Sequence, residues 1–279
     1  MFAEFGYGVL VLSFMVAIYS GVTAVYGAAN KSPALVESAR RAMLLTFPLI
    51  SLSAAVLIYL LINNHFEVAF VYEVTSRSMP TYLKITAWWG GQAGSLVFWS
   101  WLLAVFTSAV TLRKWDRDIE FLPWVIVVTA ITLTFFLGMS VFFENPFARY
   151  WQDQLGKMIL NVNGDPIVAI FAPVKDAINF VPQDGQGLNP LLRHPGMVIH
   201  PPLLYLGFVS FVIPYAFAMA ALITGGSFYQ LENSGPGPMV MMGNRSGPHE
   251  ALQHINYELR KDIKQLSPEE TERIRHGGA

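Results

Sequence analysis

The chain has 279 residues, of which 53% are hydrophobic and only 13% charged, and its mean hydropathy is +0.43. Water-soluble domains carry about twice that share of charge, so the composition is that of a membrane protein. A net charge of −1 offers no basic field to nucleic acid, and the lack of cysteine excludes disulfides, thiolate metal sites, iron–sulfur clusters and a cysteine nucleophile.

A helix needs about 20 apolar residues to cross the hydrocarbon core. Five segments meet that length: Tyr7 to Tyr26, Ala42 to Ile62, Gly94 to Leu112, Phe121 to Phe143 and Pro202 to Ile223. None contains Lys, Arg, Asp or Glu, and each is read as a helix because lipid offers no partner to a free backbone N–H or C=O. Pro48 and Pro214 fall inside two of these spans and are expected to kink them. The first span has no preceding Lys or Arg and no small-residue cleavage site, so it reads as a retained helix rather than a signal peptide.

Basic residues set the expected orientation. Lys31, Arg40 and Arg41 follow the first span, and Arg113, Lys114 and Arg117 follow the third, whereas the segment 63–93 carries only Arg77 and Lys84. Basic loops stay in the cytoplasm, which puts the N-terminus and the segments 63–93 and 144–201 outside. After Gly226 the composition changes. Residues 226–248 form a Gly/Pro-rich linker, and residues 249–279 form a soluble tail with Leu252, Ile255, Leu259, Ile263 and Leu266 at helical spacing. Ser267, Pro268 and Glu270 supply an N-cap, a first-turn proline and a capping-box glutamate for a last short helix. The expected class is therefore all-α: a polytopic membrane protein of about five transmembrane helices, N-terminus outside, with a short helical cytoplasmic tail.

Two outer segments could carry chemistry. Trp88, Trp89, Gly90, Gly91, Gln92 and Gly94 set paired indoles among three glycines. A bare backbone beside broad aromatic faces suits a flat apolar ligand; the interfacial aromatic belt is the competing explanation. The second segment ends in His200, directly before Pro201 and Pro202, with the fifth span read as opening at Pro202. A neutral imidazole held there is a candidate metal or axial haem ligand, or else an interfacial histidine bonded to its own loop or to lipid headgroups. His65 and His194 read as solvated or supporting groups. His249 and His254 are five apart, which turns the second about 140° from the first on a helix and excludes a shared metal. No P-loop or nucleophile elbow occurs, and spans without ionisable groups argue against a coupled transporter.

These residues carry a family likeness. The run from Pro80 to Trp99, the string Glu144-Asn145-Pro146-Phe147, the string Asn189-Pro190-Leu191-Leu192 and the run from His200 to Phe208 resemble, in order, motifs of the CcmF family of cytochrome c-type biogenesis haem lyases, relatives of CcmC and CcsA. The likeness extends from the N-terminus to about Gly225, so that residues 1–225 form a membrane domain similar to the N-terminal part of CcmF. It implies a multi-pass protein of the bacterial inner membrane that handles haem, b-type as delivered. The implied partners are other cytochrome c maturation subunits, a haem chaperone, apocytochrome c and membrane lipid. His200 matches a periplasmic histidine taken to ligate haem iron axially. The segment Trp88–Gly94 matches a surface motif beside the haem region. Some members have His-Glu where this chain has Gln92-Ala93, which leaves no extra ligand or acid there. The family's later Trp-rich signature, second periplasmic histidine and transmembrane histidine pair find no match, so lyase activity is not expected of this chain by itself. The alternative is a structural scaffold of a multi-subunit membrane complex that does not itself bind haem.

Overall fold

Lipid leaves the backbone of a spanning segment no choice but helix, and five helical spans form. In this computed structural model, which describes residues 1–113, 115 and 119–224, they are Phe2–Ala29, Pro33–Ile62, Gln92–Leu112, Leu122–Phe142 and Pro195–Thr224. The shortest has 21 residues, about 32 Å at 1.5 Å per residue. The chain divides into two units, Met1–Ser234 and Gly235–Ala279. The linker and tail assignments lie outside the described residues.

Helices α1 (Phe2–Ala29) and α2 (Pro33–Ile62) form an antiparallel pair. The buried face of α1 is lined by small residues, among them Gly6, Ser13, Ala17, Ser20, Ala24 and Gly27, which let backbones approach where no hydrophobic drive exists between helices. Hydroxyls bridge the gap: Ser20 Oγ donates to the Ala39 carbonyl at 2.8 Å, Ser53 Oγ to that of Gly6 at 3.1 Å, and the Tyr19 and Ser38 hydroxyls pair at 2.9 Å. The turn between them places Lys31 at φ 51°, and Pro33 starts α2. Arg40 and Arg41, read as loop residues, belong to the first turns of α2. Arg40 Nε donates to the Thr111 carbonyl at 2.9 Å and so closes the C-terminal end of a neighbouring helix. Pro48 is absorbed within a continuous α2.

Two short helices follow, α3 (Ala69–Val74) and α4 (Thr81–Thr86), then a 3-10 turn Ala87–Trp89 and helix α5 (Gln92–Leu112). Helix α6 (Leu122–Phe142) returns across the bundle and packs on α1 and α5. The last span starts at Pro195 instead of Pro202, as α7 (Pro195–Ser210) and α8 (Val212–Thr224), with an interruption at Phe211. Pro214 has no N–H to offer the Ser210 carbonyl, which accounts for a break at that point.

Between α6 and α7 the structure adds a small antiparallel sheet that periodicity does not reveal. Strands β1 (Arg149–Gln152), β2 (Val168–Ala169) and β3 (Ile178–Asn179) run in the order β2-β1-β3, pairing Tyr150 with Val168 and Trp151 with Asn179. Strands of two residues carry no readable alternation, hence their absence from the sequence reading. The sheet is anchored on α1: Arg149 Nη2 lies 2.7 Å from Glu4 Oε2, and the Phe147 ring occupies the space beside Gly6. The α1 N-terminus, the α2 C-terminus and both long loops thus share one end of the bundle, called here the loop face.

Candidate functional site

The loop face is built from two segments that lock into each other. Arg77 donates its backbone N–H to Asp184 Oδ1 and its Nε to the Gln183 carbonyl, both at 2.8 Å. Gln186 and Gly187 donate their amides to the carbonyls of Tyr72 and Thr75 at 2.8 and 3.0 Å. A Cβ on Gly185 would stand 2.0 Å from the Thr75 carbonyl oxygen, so only glycine allows that approach. The backbone amides of Arg77 and Gly185, with the Arg77 and Lys84 charges, hold the Asp184 carboxyl below its usual range. Nearby, burial and then the Glu73 carboxylate, 3.2 Å from its hydroxyl, push the Tyr150 phenol up to about 12.

The segment 81–94 is packed inward. Lys84 is buried, and its ammonium donates to Asn64 Oδ1 at 2.6 Å, tying α4 to the end of α2. One turn on, Trp88 is buried against Phe98, with ring centres 4.9 Å apart, and Trp101, at 6.0 Å; Trp89 is half-buried 5.6 Å from Phe98. The Nε1–H groups of both tryptophans are buried without a protein acceptor, an arrangement that costs about 1–3 kcal/mol each. Gly91 is the N-cap of α5 and Gln92 its exposed first residue.

The three glycines do not leave bare backbone for a ligand. A Cβ on Gly94 would lie 2.0 Å from the Trp88 carbonyl oxygen and 2.5 Å from the Phe70 ring. One on Gly91 would meet Phe70 at 2.8 Å, and one on Gly90 would meet Leu188 at 2.6 Å. The protein's own side chains fill these notches, a use of glycine that spacing alone does not distinguish from ligand approach.

Leu188 connects this segment to α7. Its carbonyl accepts from Arg193 Nε at 3.0 Å, and the chain then enters the helix with His194 as N-cap and Pro195 in the first turn. His194 Nδ1 accepts the Gly196 N–H at 3.1 Å. That ring nitrogen is occupied as a cap, so His194 is a helix-start residue.

His200 lies inside α7, not ahead of it. The cap at His194 starts the helix before the double proline, and Pro201 and Pro202 are interior residues. Having no N–H, they leave the carbonyls of Met197 and Val198 without their i+4 donors. Val198, Tyr205 and Val209 form the packed face, and Tyr205 wedges between Phe98 at 6.0 Å and Trp99 at 5.1 Å. At 100° per residue, His200 is about 200° round from Val198. Its exposed imidazole therefore leaves α7 on the side opposite the bundle, with no hydrogen bond among the described residues, above exposed Leu203, Leu204 and Phe211 and the open surface of Gly207. It is thus turned away from Phe98 and Trp99 of α5, which pack on Tyr205 on the other side of the helix, and from Trp88 and Trp89, which pack on Phe98.

His65 reads from sequence as solvated or supporting, and the structure gives it a definite partner. Its Nδ1 is 2.8 Å from Glu67 Oε1, and its ring centre is 5.8 Å from that of Tyr59. Among the described residues no three of His, Asp and Glu gather as metal ligands.

With this geometry in view, comparison with known proteins decides the family. The description "Cytochrome C assembly protein" matches residues 89–267. The chain belongs to the cytochrome c assembly protein family. It corresponds to the N-terminal part of CcmF-type proteins. It is 32% identical over 225 residues to the cytochrome c-type biogenesis protein CcmF of Haemophilus influenzae, covering 81% of this chain and 31% of that protein. It is 34% identical to CycK of Rhizobium meliloti, covering 81% of this chain and 29% of that one. The solved structure "Cytochrome c Heme Lyase CcmF" shares the fold, with a TM-score of 0.63 at 20% identity over 84% of this chain and 32% of that one. The chain thus spans about a third of the length of the relatives it matches.

Proposed function

We propose that this multi-pass membrane protein is a haem-handling subunit of cytochrome c maturation that presents haem, b-type as delivered, for attachment to apocytochrome c. The relatives' names, cytochrome c-type biogenesis proteins, support the maturation role. The observation that carries the haem role is His200: an exposed imidazole without a hydrogen-bond partner among the described residues, turned away from the bundle above an apolar helix surface. That surface fits the group, because a porphyrin needs one axial nitrogen and a flat apolar bed, and Gly207 leaves the helix open below the imidazole. When bound, haem supplies the vinyl groups that become attached to a cysteine-containing acceptor. His200 would hold the iron through its free imidazole and would fix which side of α7 carries the ligand. Trp88–Gly94 serves as the support behind the packed side of α7, with Trp88 and Trp89 packed on Phe98, which with Trp99 holds that helix through Tyr205. Other maturation subunits, a haem chaperone and lipid would cover the outward face of α7, and the 249–279 tail is proposed as a cytoplasmic docking segment.

The orientation belongs to the same proposal: loop face outside, in the bacterial inner membrane, with Lys31, Arg40 and Arg113 inside. Single cysteines at Ser78 and Asn30, probed with an impermeant thiol reagent in intact cells, test it. Labelling at 78 alone supports this orientation, and labelling at 30 alone reverses it. The haem role is tested by titrating the detergent-purified chain with hemin: His200→Ala should remove or markedly shift the Soret band. A wild-type spectrum in that variant, with normal cytochrome c maturation, would favour the scaffold that does not itself bind haem.

A further inference from the structure

His65 differs from the other two histidines of the loop face in what its ring nitrogens are doing. His194 uses Nδ1 to accept an amide hydrogen, which places its remaining proton on Nε2 and leaves no lone pair there. His200 has no hydrogen-bonded partner among the described residues to fix its ring. His65 has its Nδ1 at 2.8 Å from a Glu67 carboxylate oxygen, and an ionised carboxylate only accepts, so Nδ1 carries the proton. In the neutral ring the lone pair is then on Nε2. A carboxylate on the far nitrogen orients an imidazole and raises its basicity as a metal ligand.

The surroundings hold this arrangement in place. The His65 amide donates to the Leu60 carbonyl at 3.1 Å, its carbonyl accepts from Val68 at 3.0 Å, and the adjoining Phe66 is 1% exposed. Backbone and ring are therefore set before any ligand arrives. The His65 side chain remains 30% accessible. Beside it the rings of Tyr59 and Phe2, about half exposed, continue in sequence, Phe2 to Tyr59 at 5.0 Å and Tyr59 to His65 at 5.8 Å. The result is an apolar aromatic ledge ending in one prepared nitrogen.

One imidazole beside one carboxylate cannot chelate a bare metal ion, and no third ligand stands near among the described residues. It can complete a metal that brings four ligands of its own. We propose that His65, oriented by Glu67, is a second axial ligation site for an iron porphyrin on the loop face, with Tyr59 and Phe2 as the ledge for the macrocycle. The step is coordination only: the Nε2 lone pair replaces a water or chloride on hemin, and no electron is transferred. The inference rests on the haem reading above, but its test is separate from that of His200.

The experiment is a titration of the full chain in detergent with hemin, and with metal-free protoporphyrin IX in parallel. In a His200→Ala background, hemin should still give a saturable Soret shift, and adding His65→Ala should remove it. Glu67→Gln keeps an acceptor for Nδ1 but removes the charge. It should weaken hemin binding by about tenfold, the size of effect seen when the partner of a metal-ligating histidine is lost. It should also lower the Fe–His stretching band of the ferrous form in resonance Raman, which a merely structural His65–Glu67 contact would not move. The proposal is overturned if hemin binds the single and double histidine variants alike, if metal-free porphyrin binds as tightly as hemin, or if the Raman band stays unmoved in Glu67→Gln. Loss of all hemin binding in His200→Ala alone overturns it too, while leaving the His200 reading intact.

Discussion

The two sides of α7 present opposite solutions. On one side Trp88, Phe98, Trp99, Trp101 and Tyr205 interlock, and glycines admit Phe70 and Leu188 to within contact of the backbone. On the other side His200, Leu203, Leu204 and Phe211 are exposed, and a methyl added at Gly207 would meet nothing within 4 Å. Motif residues that look alike on paper thus divide into those that hold the helix and those that the helix holds out. A closely packed wall is intolerant of added volume, whereas an open face tolerates it and is available to a ligand or a partner.

Glycine substitutions should break the comparison most sharply. Gly94→Ala forces a methyl into the Trp88 carbonyl and the Phe70 ring, and should cost about 3 kcal/mol or more. Gly207→Ala places the same methyl in open space and should leave stability within about 0.5 kcal/mol. Thermal unfolding in detergent measures both, and equal losses would refute the division into wall and open face. His200→Ala should resemble Gly207→Ala in stability while losing the hemin Soret signal. A large loss of stability in that variant would mean that the imidazole packs against something in the folded state.

Tyr205 carries the ring contacts that hold α7 to the packed wall, and its replacement sharpens the picture. Tyr205→Leu keeps most of the apolar bulk but gives up two ring pairs, about 1 kcal/mol between them, a loss that the same unfolding measurement resolves. The smallest effect belongs to the latch. The Asp184 carboxyl is depressed in the folded chain, so its contribution is present above the unfolded value near 3.8 and is lost as pH falls through the lowered folded value. Amide exchange at Arg77 should therefore quicken at acid pH relative to neighbouring loop amides, after correction for intrinsic rates. Asp184→Asn should remove that pH dependence; a persistent acid-linked change in the variant would assign the effect to another group.

Much of the architecture is legible because the membrane reduces the problem to length and polarity. All five spans can be read from the sequence, and their ends shift where polar or capping residues extend a helix beyond the apolar run, from Ala42 back to Pro33 and from Gly94 back to Gln92. The shift from Pro202 to Pro195 has another cause: the double proline resembles a helix start while a histidine cap and an earlier proline already provide one. Local signals for both starts are present in the sequence, and only the assembled loop face chooses between them.

The sequence by itself therefore determined that the chain spans a membrane with five helices, which strings carry the family likeness, and which residue types are available as ligands. The spans follow from length and polarity, because backbone polar groups must be satisfied within each span, whereas the likeness rests on the order of particular strings. The tertiary structure decided which way each residue faces. It filled the glycine notches with Phe70 and Leu188, turned His200 away from Trp88 and Trp89, spent His194 on a helix cap, and set Glu67 behind His65. The physical reason is that such roles depend on direction and on neighbours distant in sequence: about 100° per residue around a helix, and a few ångströms across a fold, are quantities that a string of letters does not contain.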